Sequence, residues 1–159
     1  RILHSIQTTE SQDGSGKSNL SSAMATAQSV GRKRCFFVLI SDFLVDDNWA
    51  QALQLASVSN QVLAIQLSDR ADSEMPNIGP VTLLDPATQE LVDVDTQSKT
   101  IRAKFAEAAK RRQGSIDERL QSSGVSHLKL DTGGDWLEDI VRFVQAEKKV
   151  RHARRGGVA

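Results

Sequence analysis

The residues that first suggest chemistry are Gly14-Ser15-Gly16-Lys17-Ser18, set in SQDGSGKSNL, and Asp42, which closes the apolar run FFVLISD. A glycine-rich turn followed by Lys and Ser is how a phosphate-binding loop ends: backbone N–H groups and the lysine hold phosphates, and the hydroxyl holds magnesium. An acidic residue ending a buried strand would serve the same ion. Lys17, Ser18 and Asp42 would then be the working residues of a nucleotide-hydrolysing enzyme. Two requirements of that site are missing. The pattern's first glycine falls on Ser11, and the preceding SIQTTE has one aliphatic residue where a buried strand is needed. The plainer reading makes GSGKS a loop entering a helix, capped by Ser18 or Asn19. Asp42 then ends a strand and caps the turn that follows.

Other chemistry-bearing residues are scattered. His4, His127 and His152 have no Cys or His partner at zinc-ligand spacing. No Gly-x-Ser-x-Gly elbow is present, and neither a Ser-His-Asp nor a Cys-His arrangement is identifiable. Asp69, Asp72 and Glu74 form an acidic cluster after the second strand, expected at the same sheet edge as Asp42; its default reading is a solvated loop. Cys35, the single cysteine, opens an apolar run and is expected to point into a core. No internal disulfide can form, which fits a reducing, cytoplasmic compartment.

These residues need a scaffold, and hydrophobic periodicity supplies one. SNLSSAMATAQSV places Leu20, Ala23, Met24 and Ala27 at helical spacing, with Gly31 as the stop. CFFVLIS and QVLAIQL are continuous apolar runs and read as strands buried on both faces. Between them NWAQALQLASVS is a helix capped by Asp46 or Asp47, with Trp49, Leu53 and Ala56 on one face. VTLLDPATQELVDVD predicts a β-hairpin turning at Asp85-Pro86-Ala87-Thr88. A charged helix spans about 98–122, with a break at Gly114 considered and a stop at Gly124. VSHLKL is a third short strand, and DWLEDIVRFVQAEKKV a last helix directing Trp136, Ile140, Phe143 and Val144 to the core.

Strands alternating with helices predict an open α/β fold with a mostly parallel sheet, flanking helices and one hairpin insertion. Three strands make a thin sheet, and RILHSIQ reads as the middle of an amphipathic helix, so the expectation is a domain truncated at its N-terminus. Residues 1–148 are expected to form that single domain and residues 149–159 a basic flexible tail. Twenty basic residues balance twenty acidic ones, which leaves no global field for nucleic acid or an anionic membrane. The longest apolar run is far too short to span a bilayer. Lys99, Arg102, Lys104, Lys110, Arg111, Arg112 and Arg119 give the charged helix a basic side, interrupted by Glu107, Asp117 and Glu118 and read as a solvated face or as a docking surface for an acidic partner.

From Ser41 onward the order is SDF, NWAQALQLA, MPNIG, VTLLDPATQELVDVD, IRAKF and DWLEDIVRF. Over roughly residues 15–148 this resembles the C-terminal half of the bacterial proteins of the domain-of-unknown-function family fifty-eight. The resemblance implies a von Willebrand factor A-like domain, Rossmann-like in architecture, of the kind encoded beside MoxR-type AAA+ ATPases. It implies a magnesium or manganese site in the full-length parent, built from three loops at the carboxyl edge of the sheet. Asp42 matches the third loop and Ser18 falls where the second-loop threonine would lie. The first-loop Asp-x-Ser-x-Ser is absent, so no metal is expected in this chain alone. The implied role is non-enzymatic: an adaptor that engages a protein partner, either a MoxR-type ATPase or its client, without nucleic-acid or membrane contact.

Overall fold

The computed structural model describes residues 19–30, 34–45, 48–84 and 90–156. In chain order these form α1 (Leu20–Val30), β1 (Phe36–Ser41), α2 (Trp49–Ser59), β2 (Gln61–Ser68), β3 (Pro80–Leu84), β4 (Leu91–Asp95), α3 (Lys99–Ser122), β5 (Ser126–Asp131) and α4 (Trp136–Gly156). A 3-10 turn at Arg70–Asp72 follows β2. Strands β1, β2 and β5 make a parallel sheet in that order, while β3 and β4 pair antiparallel as a separate hairpin. The protein is therefore an α/β fold with a parallel sheet, flanking helices and a hairpin.

Local chemistry accounts for the element ends. Asn19 caps α1: its Oδ1 accepts from Ser22 N at 2.6 Å. Ser18, Lys17 and the rest of GSGKS lie outside the described residues, as do Gly31, Asp46, Asp47 and the turn Asp85-Pro86-Ala87-Thr88. Asn48 precedes α2 without a side-chain cap bond. Ser98 caps α3, which runs unbroken through Gly114 to Ser122. Gly124, at φ +69°, takes the left-handed conformation that ends the helix. The last helix continues to Gly156, beyond the expected boundary at residue 148.

The core lies on one side of the sheet. Register puts Phe37 beside Val62 and Leu39 beside Ala64, and this row packs under Met24 of α1, Trp49 and Leu53 of α2, and Ile116 and Leu120 of α3. Arg119 lays its guanidinium 4.1 Å from the centroid of the Trp49 ring. One member of the basic face is thus committed to the core by a cation–π contact.

The other side of the sheet corrects two expectations. β1 is not buried on both faces: Phe36 and Ile40 are 61% and 58% exposed, and Val38 is exposed with them. Nor does α4 direct its whole apolar stripe inward, since Trp136 and Val144 are exposed while Ile140 and Phe143 are half-buried. The reason is geometric. Ser126 Oγ meets Glu147 Oε1 of α4 at 3.3 Å, and Leu128 and Leu130 beneath the helix are buried, so α4 shelters β5 and leaves β1 bare. Cys35 is half-buried.

Candidate functional site

In open parallel sheets ligands bind outside the carboxyl ends of the strands, where loops diverge. Here that edge collects Asp42 after β1, Asp69 and Asp72 after β2, and Thr132 after β5. The Ser-Asp-Phe turn that ends β1 is tightly held. Phe43 N donates to Ser41 Oγ at 3.1 Å, and Leu44 N donates to Asp42 Oδ1 at 3.0 Å. Phe43 takes φ 58°, a conformation that a bulky residue avoids unless its surroundings impose it. The cause is packing: the ring is 2% exposed and sits 4.8 Å from the Trp49 ring, so burial of the aromatic pair compensates for the backbone strain.

The acidic cluster is largely consumed by its own backbone. Asp69 Oδ1 accepts from Ala71 N and Asp72 Oδ2 accepts from Asp69 N, each at 2.8 Å, which is a reciprocal capping box. Thr132 Oγ1 donates to the other Asp69 oxygen, tying the ends of β2 and β5 together. That hydroxyl, followed by the Ala71 N–H, holds the Asp69 carboxyl below its ordinary range. Glu74 pairs with Arg70 at 2.7 Å, an exposed ion pair of little energetic weight. The cluster is a structural fastening of the edge.

Between the ends of β1 and β2 and the flank of α3 lies a small cleft, lined by Asp42, Gln66, Ser68, Asp72, Arg112 and Gln113 together with apolar residues. Gln66 is 1% exposed. Its Nε2 donates to Gln113 Oε1 at 3.3 Å, and Gln113 Nε2 donates to Asp117 Oδ1 at 3.0 Å. Because a carboxylate only accepts, this chain fixes both amide orientations and leaves Gln66 Oε1 buried without a donor among the described residues. Asp42 and Asp72 thus meet at one cleft, as expected of the shared sheet edge. Ser18 lies outside the described residues.

Among the described residues, no group of three or more His, Cys, Asp and Glu side chains could hold a metal ion. By themselves they do not fit a magnesium or manganese site. Sequence reading overlooked Gln66 and Gln113, and took Arg112 only as part of the basic helix side and Thr132 only as the start of a loop. The available signal was Gln66 itself, a polar residue inside the apolar run QVLAIQL.

The hairpin leaves the fold at this edge, since it joins the end of β2 to the start of α3. Its base is locked: the buried Thr96 hydroxyl donates to Gly79 O at 2.6 Å and accepts from Ile78 N at 3.0 Å, and Arg102 of α3 donates to Thr96 O. Its strands, by contrast, carry exposed Leu83, Leu84, Leu91 and Val92. Among the described residues, no helix is long and apolar enough to cross a membrane.

Comparison with known proteins places this geometry in context. Residues 1–115 match the model of a family described as "Protein of unknown function DUF58". The Mycobacterium avium "Uncharacterized protein MAV169" is 33% identical over 148 residues, covering 93% of the chain and 87% of that relative. The Mycobacterium tuberculosis "Uncharacterized protein Rv1480" and the Mycobacterium bovis "Uncharacterized protein Mb1516" are each 32% identical over 148 residues. The match again covers 93% of the chain but only 46% of either relative, so the chain spans about half their length. No solved structure matches.

Proposed function

The chain belongs to the DUF58 family, and from that premise we propose that it is a non-enzymatic protein-interaction module, von Willebrand A-like in type, that engages a partner at the carboxyl edge of its sheet. The observation that carries this reading is the hairpin. A rigidly based β-arm with four exposed aliphatic residues at the sheet edge supports binding to another protein, where apolar anchors supply most of the affinity. The Asp42 cleft beside it would supply the polar contacts. By the resemblance of the SDF and Asp-Pro-x-Thr segments, the proposed partner is a MoxR-type AAA+ ATPase or its client, in the cytoplasm. That step is analogy from family, not from geometry.

Asp42 and Ser18 are the proposed ligands of magnesium or manganese in the full-length protein. Hard oxygen donors suit either ion. The described residues do not complete such a site, and the proposed adaptor role does not depend on one.

The test is direct binding between the purified full-length protein and a MoxR-type ATPase from the same genome. Saturable binding, weakened roughly tenfold or more by Leu84→Ser with Leu91→Ser and separately by Asp42→Ala, is the expected result. Absence of binding to the ATPase would overturn the partner assignment. ATP binding by the chain that Lys17→Ala abolishes would favour a phosphate-binding GSGKS loop and sink the non-enzymatic reading.

A further inference from the structure

The cleft at the carboxyl edge offers acceptors and almost no donors. Strand alternation puts Gln66 on the same face as Val62 and Ala64, so its side chain extends toward α3 and into the cleft wall. There it is 1% exposed, its Nε2 is committed to Gln113, and its Oε1 meets no donor among the described residues. A buried acceptor in that state destabilises the fold, and a donor arriving from outside the chain relieves it.

The other polar groups around it are of the same kind. Asp42 and Asp72 each commit one oxygen to a backbone N–H and keep the second free among the described residues. Ser68 spends its hydrogen on Leu130 O and retains a lone pair. Arg112 is the exception, yet it forms no ion pair with either carboxylate. Two negative charges therefore stand unpaired beside a buried acceptor, while Leu44, Ala109 and Ile116 supply apolar wall.

Such a set selects its occupant by chemistry. An anion is repelled, a neutral hydroxyl leaves both charges unmet, and a divalent ion finds too few hard ligands among the described residues. A compact ammonium brings one charge and three donors, and the methylene stem of a lysine packs along apolar wall while its head reaches polar groups. A guanidinium is a wider, planar fork, less suited to one buried acceptor flanked by separate carboxylates.

Resting on the reading that a protein partner engages this edge, we infer that the cleft receives a lysine side chain of that partner. Its ammonium donates to Gln66 Oε1 and to the free oxygens of Asp42 and Asp72, and its stem lies along Ala109 and Ile116. The hairpin then supplies apolar affinity, and the cleft selects a basic residue at one position of the partner.

Nα-acetyl-lysine methylamide stands in for a lysine within a chain and tests this on the purified protein without any partner, read by NMR at the Gln66 side-chain amide. Saturable shifts of those resonances are expected. Affinity is expected to fall roughly fivefold or more in Asp42→Asn and in Asp72→Asn, each of which can keep its backbone bond through the amide oxygen, and to fall with added salt. The Nε-acetylated probe is expected to leave the resonances unmoved, and the Leu84→Ser, Leu91→Ser variant to bind the lysine probe as the wild type does. No shift at Gln66, equal shifts from the Nε-acetylated probe, or tighter binding of the arginine counterpart or of magnesium would each sink the lysine assignment and leave partner binding through the hairpin untouched. If the MoxR-type ATPase does not bind while the lysine probe does, the cleft assignment is supported and only the choice of partner falls.

Discussion

The two rows of side chains on β1 come from one strand and have opposite surroundings. Phe37 and Leu39 lie under α1 and α2 in the only well-packed core cluster of the described residues, while Phe36, Val38 and Ile40 are about half open to solvent. Their composition does not separate them, since both rows are aromatic and aliphatic. What separates them is whether a helix follows on that face. Hydrophobicity of a segment reports what a strand is suited to bury, and the chain around it determines what is buried.

The sharpest way to break that contrast is to truncate one residue on each side. Leu53→Ala removes a fully buried side chain from the packed layer and is expected to cost about 2–5 kcal/mol by the transfer and cavity terms together. Ile40→Ser on the open row is expected to change stability by no more than about 0.5 kcal/mol. Urea denaturation of both variants decides it, and a loss at Ile40 comparable to that at Leu53 would mean that the open face is covered in this chain.

Two smaller changes test how the packed layer is held together. Asn19→Ala deletes the cap of α1 and is expected to cost about 1 kcal/mol, with Asn19→Ser restoring most of it. Gly114→Ala goes the other way. A Cβ at Gly114 meets nothing within 4 Å, so the variant is expected to gain about 0.5–1 kcal/mol from helix propensity alone. Absence of a gain, measured as an unchanged Tm, would show that Gly114 has a packing role hidden from the described contacts.

Gly114 also shows where sequence was a fair guide and where it was not. Periodicity located every described helix and the three parallel strands, because long apolar patterns and capping residues such as Ser98 act locally. The hairpin was legible from alternation around its turn. What sequence could not convey was one-sidedness: FFVLIS is as apolar as a doubly buried strand, and only the position of α4 over β5 reveals the bare face. The cleft was legible in part. Asp42 and Asp72 follow adjacent strands and so had to meet at one edge, whereas Arg112 and Gln113 arrive from a helix forty residues further along the chain. The acidic cluster is exposed, as a solvated loop should be; what spacing alone does not fix is the capping box that Asp69 and Asp72 form within it.

The smallest effect lies at the far end of the packed row, where His127 stands beside Ala64 in the register. It is half-buried, and its Nε2 has no partner among the described residues. Burial lowers its pKa; Asp117 of α3 pulls in the opposite direction, and Lys129 on the same strand adds to the lowering. A folded pKa below the unfolded value of about 6.5 means that the unfolded chain takes up the proton first as pH falls. Stability contributed by neutral His127 is therefore complete above that value and drains away as pH descends through the lowered folded pKa. Unfolding of the wild type and of His127→Gln at neutral and mildly acidic pH isolates this share of the acid sensitivity. The wild type is expected to lose more stability on acidification than the variant, and Asp117→Asn, by removing the one charge that favours the imidazolium, is expected to steepen the loss. Parallel pH profiles for wild type and His127→Gln would show that this end of the row is as wet as the open face, and the contrast between the two sides would then stop at β2.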